Sequence, residues 1–429
     1  MQRFGEFEFG SIMNGTCECA VRFRWIRIER IEHAMKFSAD RILTTHTGSL
    51  PRPRDLVALL NSKEMGESYD GAAFSGRVRR AILEIVRQQA DTGIDIVDDG
   101  EHSKVNWMAY ARARLSGLEE IDSPVRFRGP TRDSLAFPRA YEDMKVMLAA
   151  RSADIVPKRM VRPRAQVCSG TISYVGQDEL AADIENLKLA LENGSAEEAF
   201  MTAISPSNLE LYYENRYYAS DEQYLAALAD AMHVEYKAIV DAGLLLQIDD
   251  PRMATHYNRA VNSSIDDCRK FIALRVETVN HALRGIPEDR VRFHTCYSVN
   301  VAPRVHDLEL KHFVDLMLKI RAGAYLIEAA NPRHEHEWRL WQDVKLPDGK
   351  ILIPGVVSHC IHLVEHPELI AQRIVRFAQL VGRERVIAGT DCGFGTSGAG
   401  DEVHPEVAWA KLKSMVEGAR LATHRLWSG

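Results

Sequence analysis

The sequence predicts an α/β protein built as a (β/α)8 barrel of the TIM type, with a large insertion between the second and third strands. Two observations predict this fold: eight short apolar runs end in polar residues, and long amphipathic segments separate them. Eight parallel strands with helical returns favour a closed barrel over an open doubly wound sheet, which is the alternative. The predicted strands are 41–49, 94–101, 200–206, 244–250, 291–296, 324–330, 351–357 and 385–392.

The segments between the runs have the ends that helices require. In 366–382, Pro367 occupies the first turn, apolar residues recur three or four positions apart, and Gly382 follows the last of them. In 221–243 an apolar stripe runs up to Gly243 in the same way. Both segments are predicted to be helices that return the chain to the next strand.

The interval between the second and third runs is about 100 residues long, far more than a βα connection needs. It contains a β-like stretch at 167–176 and a helix pattern at 179–194. We therefore expect the usual return helix together with an insertion that covers the active face of the barrel. Residues 35–429 contain no linker that indicates a second domain, so they are predicted to form one domain.

Residues 1–34 differ from the rest and are predicted to be an N-terminal extension. They form either an appended strand and helix or a disordered segment before Met35. Cys17 and Cys19 lie there without further ligand residues beside them, so they are expected to be incidental thiols.

Composition limits the classes of function. The net charge of −6 gives no electrostatic reason to expect nucleic acid or an anionic membrane as partner. The longest apolar runs are far shorter than the roughly 20 residues of a membrane span. Seven scattered cysteines suit a reducing cytoplasm better than a disulfide framework. The expectation is a soluble cytoplasmic protein that acts on small molecules, and its oligomeric state stays open.

Four residues at the ends of predicted strands have the chemistry of zinc ligands. His294 and Cys296 are two positions apart and so share one face of their strand, while Glu328 and Cys392 end later strands. Strand ends of a barrel meet at one mouth. One nitrogen, two sulfurs and one oxygen complete a tetrahedral zinc shell, in which the carboxylate exchanges most easily. The alternative is that each is a strand-end residue satisfied by local backbone bonds.

This ligand set suits transfer of an alkyl group to sulfur. A substrate thiolate that replaces the carboxylate keeps the charge of the centre, and thiolate ligands leave the bound sulfur nucleophilic. A zinc hydrolase, the first alternative, typically uses three histidines or two histidines and a carboxylate. A non-catalytic protein that retains zinc structurally is the second alternative.

From about residue 40 to its end, the chain resembles the catalytic barrel of the cobalamin-independent methionine synthases and their single-barrel relatives, which include epoxyalkane:coenzyme M transferases. The resemblance lies in THTGSLPRP (45–53), DDGE (98–101), QIDDP (247–251), HTC (294–296), IE (327–328) and GTDCG (389–393).

The resemblance implies a 5-methyltetrahydropteroyl(poly)glutamate–homocysteine S-methyltransferase of methionine biosynthesis. Zinc would be bound by the same four residues. The amino-acid end of a homocysteine-like thiol would be bound by Ser49, Glu101 and Asp249, whose alternative role is to pair with barrel arginines. Opening of an epoxide by coenzyme M is the alternative reaction, and Asp250 is expected to be only a turn residue.

Two departures from the synthase pattern leave roles open. The synthases carry a histidine just past the seventh strand as proton donor, whereas counting without gaps places Cys360 there. His359 is therefore the candidate acid, against a packing role, and Cys360 is not expected to be a ligand because the shell is complete without it.

The second departure is that the full-length synthases have two barrels, and this chain has room for one. A reduced folate as methyl donor therefore stays open. A group of tyrosines could stack on a flat donor or could simply cover the mouth of the barrel; it comprises Tyr212, Tyr213, Tyr217 and Tyr218.

The segment 330–338 concentrates histidines and carboxylates just after Glu328. One interpretation is a second metal site at His334, Glu335, His336 and Glu337; the other is a helix start whose charges face water. Arg333 could contact a carboxylate or sulfonate of the thiol substrate.

Overall fold

The computed structural model describes residues 34–124, 129–144, 164–192, 194, 196–298, 302–395 and 403–428. The predicted N-terminal extension lies almost wholly outside these ranges, together with Cys17 and Cys19. Its boundary stays a prediction. Within the described residues, no helix combines the length and the apolar character needed to cross a bilayer.

Within the described ranges, ten strands, numbered in chain order, form two sheets. The small sheet consists of β2 (Leu118–Pro124), β3 (Arg164–Cys168) and β5 (Tyr213–Asn215). The large sheet is parallel throughout and contains, in spatial order, β1 (Ile96–Val97), β4 (Glu198–Ile204), β6 (Leu245–Asp249), β7 (Val291–Thr295), β8 (Ala324–Ile327), β9 (Ile351–Val357) and β10 (Gly389–Thr390).

The first predicted strand, 41–49, closes the large sheet on itself. The Thr45 N–H donates to the Ala388 carbonyl (2.9 Å), and the Ala388 N–H donates to the Leu43 carbonyl (2.9 Å). On the other side, the Ile96 N–H donates to the Thr44 carbonyl (3.0 Å). The run makes only an isolated bridge rather than a regular strand, yet it fills the place between β10 and β1. The eight predicted runs therefore occupy eight successive positions, and the barrel fold is confirmed.

Twelve α-helices are present among the described residues, and their ends follow capping rules. Asp70 accepts hydrogen bonds at the start of the second helix, and Pro367 occupies the first turn of the eleventh as predicted. The helices are α1 Arg54–Glu64, α2 Gly71–Thr92, α3 Trp107–Arg114, α4 Arg132–Ala136, α5 Gln177–Leu191, α6 Pro206–Tyr212, α7 Asp221–Asp241, α8 Arg252–Arg259, α9 Ile265–Ala282, α10 Val314–Met317, α11 Pro367–Val381 and α12 Pro405–Trp427.

Short 3-10 helices cover part of the barrel where longer α-helices were expected. They are Glu288–Arg290, Leu310–His312, Glu335–Gln342 and Arg383–Arg385. The return segment after β7 thus contains one 3-10 turn and the four-residue α10 among its described residues, and the segment after β8 contains an eight-residue 3-10 helix.

The insertion between the second and third barrel strands contains the predicted return helix, whereas the β-like stretch 167–176 is a strand only up to Cys168, followed by an isolated bridge at Tyr174. Within it β2 and β3 pair antiparallel, and α5 packs against α2 as the return helix. β5, which follows the third barrel strand, adds to β3 in parallel. Tyr213 donates to the Met108 carbonyl (2.6 Å) and the Tyr218 hydroxyl accepts from the Ile172 N–H (2.9 Å). These tyrosines therefore brace the insertion, which supports a structural role for them.

The interior of the barrel holds one buried cation. Arg292 on β7 is fully buried, with its guanidinium carbon 3.8 Å from the centre of the Phe200 ring. It donates to the Thr45 hydroxyl and the His46 carbonyl, both at 3.1 Å. The arginine therefore fixes the run that closes the barrel and carries Ser49.

Candidate metal centre

Three of the predicted ligands converge at the carboxyl ends of the barrel strands. His294 lies at the end of β7, Cys296 follows that strand, and Cys392 follows β10. All three side chains are buried, and their ligand atoms lie within 4.8 Å of one another. The two sulfurs are 3.6 Å apart. Tetrahedral zinc with Zn–S bonds of about 2.3 Å separates its sulfurs by about 3.8 Å, so the thiols already have nearly the required spacing.

The imidazole of His294 is oriented for a ligand. Its Nδ1 lies 2.8 Å from Oδ1 of Asp249, and the amide nitrogen of Gln247 donates to the same oxygen (2.9 Å). Its Nε2 is buried and has no hydrogen-bond partner among the described residues. A carboxylate on the far nitrogen is the usual arrangement behind a metal-binding histidine. Asp249, predicted to bind substrate, here holds a predicted zinc ligand in place.

The charges of this cluster favour a cation. The hydrogen bond between the two sulfurs lowers the pKa of Cys296 and raises the pKa of Cys392, so Cys296 ionises while Cys392 keeps the shared proton. Although burial opposes its charge, the Cys296 thiolate and Asp249 raise the pKa of His294 to about 10. Bound zinc would take the place of these protons. The donor set, the free Nε2 and the sulfur spacing fit a divalent metal of this kind.

Glu328, the fourth predicted ligand, lies in an adjoining cluster with His359 and Asp391, whose ligand atoms are within 4.8 Å of one another. One carboxylate oxygen of Glu328 accepts from the Tyr297 N–H (2.5 Å), and the other accepts from the Asn331 amide (2.7 Å). Both carboxylate oxygens therefore have donors, while the charge of Glu328 raises the pKa of Cys296 and of Cys392, after larger effects of the sulfur–sulfur contact and burial. The role of Glu328 as fourth ligand stays a prediction.

Asp391 is a site residue that the sequence reasoning missed. It is fully buried, and its Oδ1 accepts from the N–H groups of Ala329 (2.7 Å) and Ala330 (2.8 Å). A side chain at Gly355 would come within 2.1 Å of this oxygen. Burial, followed by the charge of Glu328, raises the pKa of Asp391 well above its usual range. Its position directly before Cys392 was the signal available in the sequence.

His359, the candidate acid, is fully buried in the same cluster as Glu328. Burial lowers its pKa to about 4, and the cation of Arg304 acts in the same direction. The imidazole is therefore neutral at pH 7, which argues against an imidazolium acid. Cys360 lies in neither cluster and contacts Ser358 at 3.5 Å.

Ser49 and Glu101 follow the first two barrel strands, and Glu101 is close enough to Asp249 for that charge to act on its pKa. Both are largely buried, and Glu101 adopts a left-handed backbone with φ 58. Thr202 donates to its carboxylate (3.0 Å), and burial, reinforced by the charge of Asp249, raises the pKa of Glu101. A Cβ on Gly393 would come within 2.0 Å of the Ser49 hydroxyl, so Ser49 lies against the segment that carries Cys392.

The segment after Glu328 contains a buried ion-pair cluster. His334 is buried between Asp307 (3.1 Å) and Glu337 (3.0 Å), and its ring stacks on Tyr297 with 3.6 Å between centres. The two carboxylates, against the effect of burial, raise the pKa of His334 to about 9. Because each ring nitrogen already has a carboxylate partner, the contacts favour neither the second metal site nor charges that face water.

Arg333 and the tyrosines, which were candidates for substrate contacts, have different surroundings. Arg333 donates to the Val305 carbonyl, which ties the loops after β7 and β8 together. Tyr217 is exposed and reaches Thr171 of the insertion (3.1 Å). Burial raises the pKa of Tyr212. The charges of two arginines lower it, and the charge of Cys296 raises it by a smaller amount.

Comparison with known proteins gives a consistent result. No family model matches the chain. It is 26% identical to a methionine synthase of Thermococcus kodakarensis over 386 residues, which are 89% of this chain and 94% of that protein. It is 25% identical to a methionine synthase of Pyrococcus furiosus, with 88% and 91% of the two chains covered.

Solved structures share the fold. A B12-independent methionine synthase from Shewanella sp. W3-18-1, in complex with selenomethionine, has a TM-score of 0.67 at 18% identity and covers 91% of this chain and all of its own. A Listeria monocytogenes protein assigned as a vitamin B12-independent methionine synthase has a TM-score of 0.60 at 18% identity, with 90% and 98% covered. The resemblance predicted from the motifs is confirmed: the chain is similar to methionine synthases over nearly nine tenths of its length, and its barrel is similar to those of B12-independent methionine synthases.

Proposed function

We propose that the protein is a zinc-dependent methyltransferase that transfers a methyl group to the sulfur of homocysteine. The observation that carries this proposal is the convergence of His294, Cys296 and Cys392, with two sulfurs 3.6 Å apart and a free imidazole nitrogen beside them. The methionine synthase names of the sequence relatives support the same reaction.

The three converging side chains would hold zinc, with Glu328 as a fourth, exchangeable ligand. When bound, zinc lowers the pKa of a substrate thiol while the thiolate ligands keep its sulfur nucleophilic. Asp249 holds the His294 ring in its orientation. Hydrogen bonds from Tyr297 and Asn331 hold the Glu328 carboxylate in place.

The amino-acid end of the thiol would occupy the side of the mouth that carries Ser49, Glu101 and Asp249. Two carboxylates there offer opposite charge to an ammonium group, and the Ser49 hydroxyl can donate to a carboxylate. Glu101 is held by Thr202 and lies beside the charge of Lys104. Binding both ends of the thiol fixes its sulfur for attack, which is where much of the rate would arise.

The methyl donor is proposed to be a reduced folate. The sulfur attacks the methyl carbon, the bond from that carbon to the folate nitrogen breaks, and the nitrogen takes up a proton. His359 lies close enough to Cys296 for that charge to act on its pKa, and its neutral imidazole is the candidate for relaying the proton: one ring nitrogen would take up a proton from solvent as the N–H of the other passes one to the folate nitrogen.

Product analysis tests this function. Zinc-loaded protein is incubated with homocysteine and 5-methyltetrahydropteroyltriglutamate, and the thiol products are identified by mass spectrometry. We expect methionine from the wild type and from Cys268→Ala, a buried thiol of α9 that belongs to neither cluster of candidate ligands, and none from Cys392→Ala. No methionine from the wild type, with an S-alkylated product from coenzyme M and an epoxyalkane instead, would contradict the proposed donor and thiol.

A further inference from the structure

A cluster of arginines lies beside the proposed thiol site and has no part in the function described above. Arg252 and Arg259 are the first and last residues of α8, and Arg275 lies on α9. The guanidinium carbons of Arg275 and Arg252 are 3.6 and 5.0 Å from the centre of the Phe271 ring, and the His256 ring stacks on the same phenylalanine at 3.5 Å. Positive groups are thus gathered around one aromatic side chain.

The charge of this cluster is not balanced by the acids in contact with it. Glu210 forms the ion pair seen there among the described residues, and it binds Arg275 through both carboxylate oxygens (2.5 and 3.3 Å). Asp250 is the next acid, and its Oδ1 already accepts from the Met253 N–H (3.3 Å). Glu210 is therefore engaged by Arg275, and among the described residues no carboxylate pairs with Arg252.

Arg252 carries the unsatisfied part of this charge. Within the described ranges its guanidinium makes no hydrogen bond or ion pair, and its Nε is fully buried without an acceptor. Burial, together with the cations of Arg275 and Arg259, lowers the pKa of Arg252 to about 10. A buried donor without a partner is costly, and a guanidinium matches the two oxygens of a carboxylate or phosphate. The arrangement is that of an anion site.

The position of the cluster relates it to the reacting centre. Arg252 lies three residues after Asp249 in the sequence, and Asp249 contacts His294. Tyr212, at the end of α6, lies close enough to Arg259, Arg252 and Cys296 for all three charges to act on its pKa, after the larger effect of burial. The arginines follow the fourth barrel strand, whereas Ser49 and Glu101 follow the first two. Arg252 is therefore placed after a different strand from the residues proposed to bind the thiol.

We propose that Arg252 binds an oxyanion of the alkyl donor, either a carboxylate or a phosphate, and so directs the reactive carbon of the donor towards the substrate sulfur. The role as a donor subsite rests on the proposed function. The anion site itself requires neither zinc nor thiol.

Calorimetric titration of the zinc-loaded full chain with glutarate and with inorganic phosphate tests the site. We expect the wild type to bind one of these anions, Arg252→Gln to lower that affinity at least tenfold, and Arg252→Lys to have an intermediate effect. Arg420→Gln, at an exposed position of α12, should match the wild type. Preference for glutarate indicates a carboxylate donor, and preference for phosphate indicates a phosphorylated one.

Two outcomes would overturn the site: no binding of either anion by the wild type, or unchanged affinity in Arg252→Gln protein that retains its zinc. Cys392→Ala separates this test from that of the proposed function. It should lose zinc but keep anion binding, so failure of the metal centre and failure of the arginine site give different results.

Discussion

At the scale of single residues, Asp249 supports the candidate metal centre through its contact with His294. Asp249 was predicted from the motif to face the substrate, and its contact with His294 could not be deduced from sequence because it depends on the register of β6 against β7. That register places Asp249 opposite His294. The carboxylate therefore determines which imidazole nitrogen is free.

Replacing this carboxylate should weaken metal binding. Asp249→Asn removes the charge behind His294, and the loss of such a partner typically lowers metal affinity about 10–100-fold. Competition with a chromophoric chelator measures the zinc dissociation constant. Asp241→Asn, an exposed carboxylate at the end of α7, should leave it unchanged. Equal affinity in the two variants would show that Asp249 does not support the ligand.

His334 gives a second prediction at this scale, on stability against pH. Its folded-state pKa of about 9 exceeds the ordinary 6.5, so folding favours the protonated form. The stabilisation is fully present below about pH 6.5 and is lost as the pH rises through about 9. With about 1.4 kcal/mol per pKa unit, it amounts to about 3 kcal/mol.

Denaturant unfolding at several pH values checks this effect. The difference in unfolding free energy between wild type and His334→Gln should shrink by about 3 kcal/mol between about pH 6 and pH 9.5. His281→Gln, which removes an exposed partner of Asp230, should show no comparable trend. A constant difference for His334→Gln would mean that the histidine is not held as a cation.

At the scale of elements, the loops after the strands depend on contacts from distant helices. Ser358 and His359 follow β9, and the Ser358 N–H donates to Glu365 (2.8 Å). Glu365 also accepts from Lys411 of α12 (2.7 Å), and both side chains are buried. This ion pair therefore anchors the loop that carries the candidate acid.

Removing the cation should destabilise the protein strongly. Lys411→Met leaves Glu365 buried without a counter-charge, which costs about 3–5 kcal/mol of unfolding free energy. Urea denaturation measures the loss, and Lys413→Met, an exposed neighbour on the same helix, should change stability by less than about 0.5 kcal/mol. Similar stability of the two variants would refute the anchoring role.

The elements also show what sequence patterns can and cannot predict. Periodicity and caps located α7 and α11, because both depend on local spacing. The run 41–49 occupies its predicted position in the barrel but forms only an isolated bridge. Its hydrogen bond from Arg292 to the Thr45 hydroxyl could not be predicted from a sequence pattern. The donors that hold Glu328 were not predictable, because Tyr297 and Asn331 reach it from the loops after two different strands.

At the scale of the whole molecule, the barrel explains how residues far apart in sequence form one centre. Parallel strands end on one face, so His294, Cys296 and Cys392 meet although 96 residues separate the two thiols. Because each candidate ligand lies at or just after the end of a strand, its position and chemical type could be predicted from the sequence. Charge balance around the arginines was not, because it requires knowledge of which acid contacts which base.

Zinc X-ray absorption spectroscopy, with and without homocysteine, tests the central claim most directly. The account predicts two sulfur neighbours and lighter nitrogen or oxygen neighbours in the resting protein, and a third sulfur in place of one light atom after homocysteine is added. A shell that stays unchanged with homocysteine, or one that contains no sulfur, would contradict it.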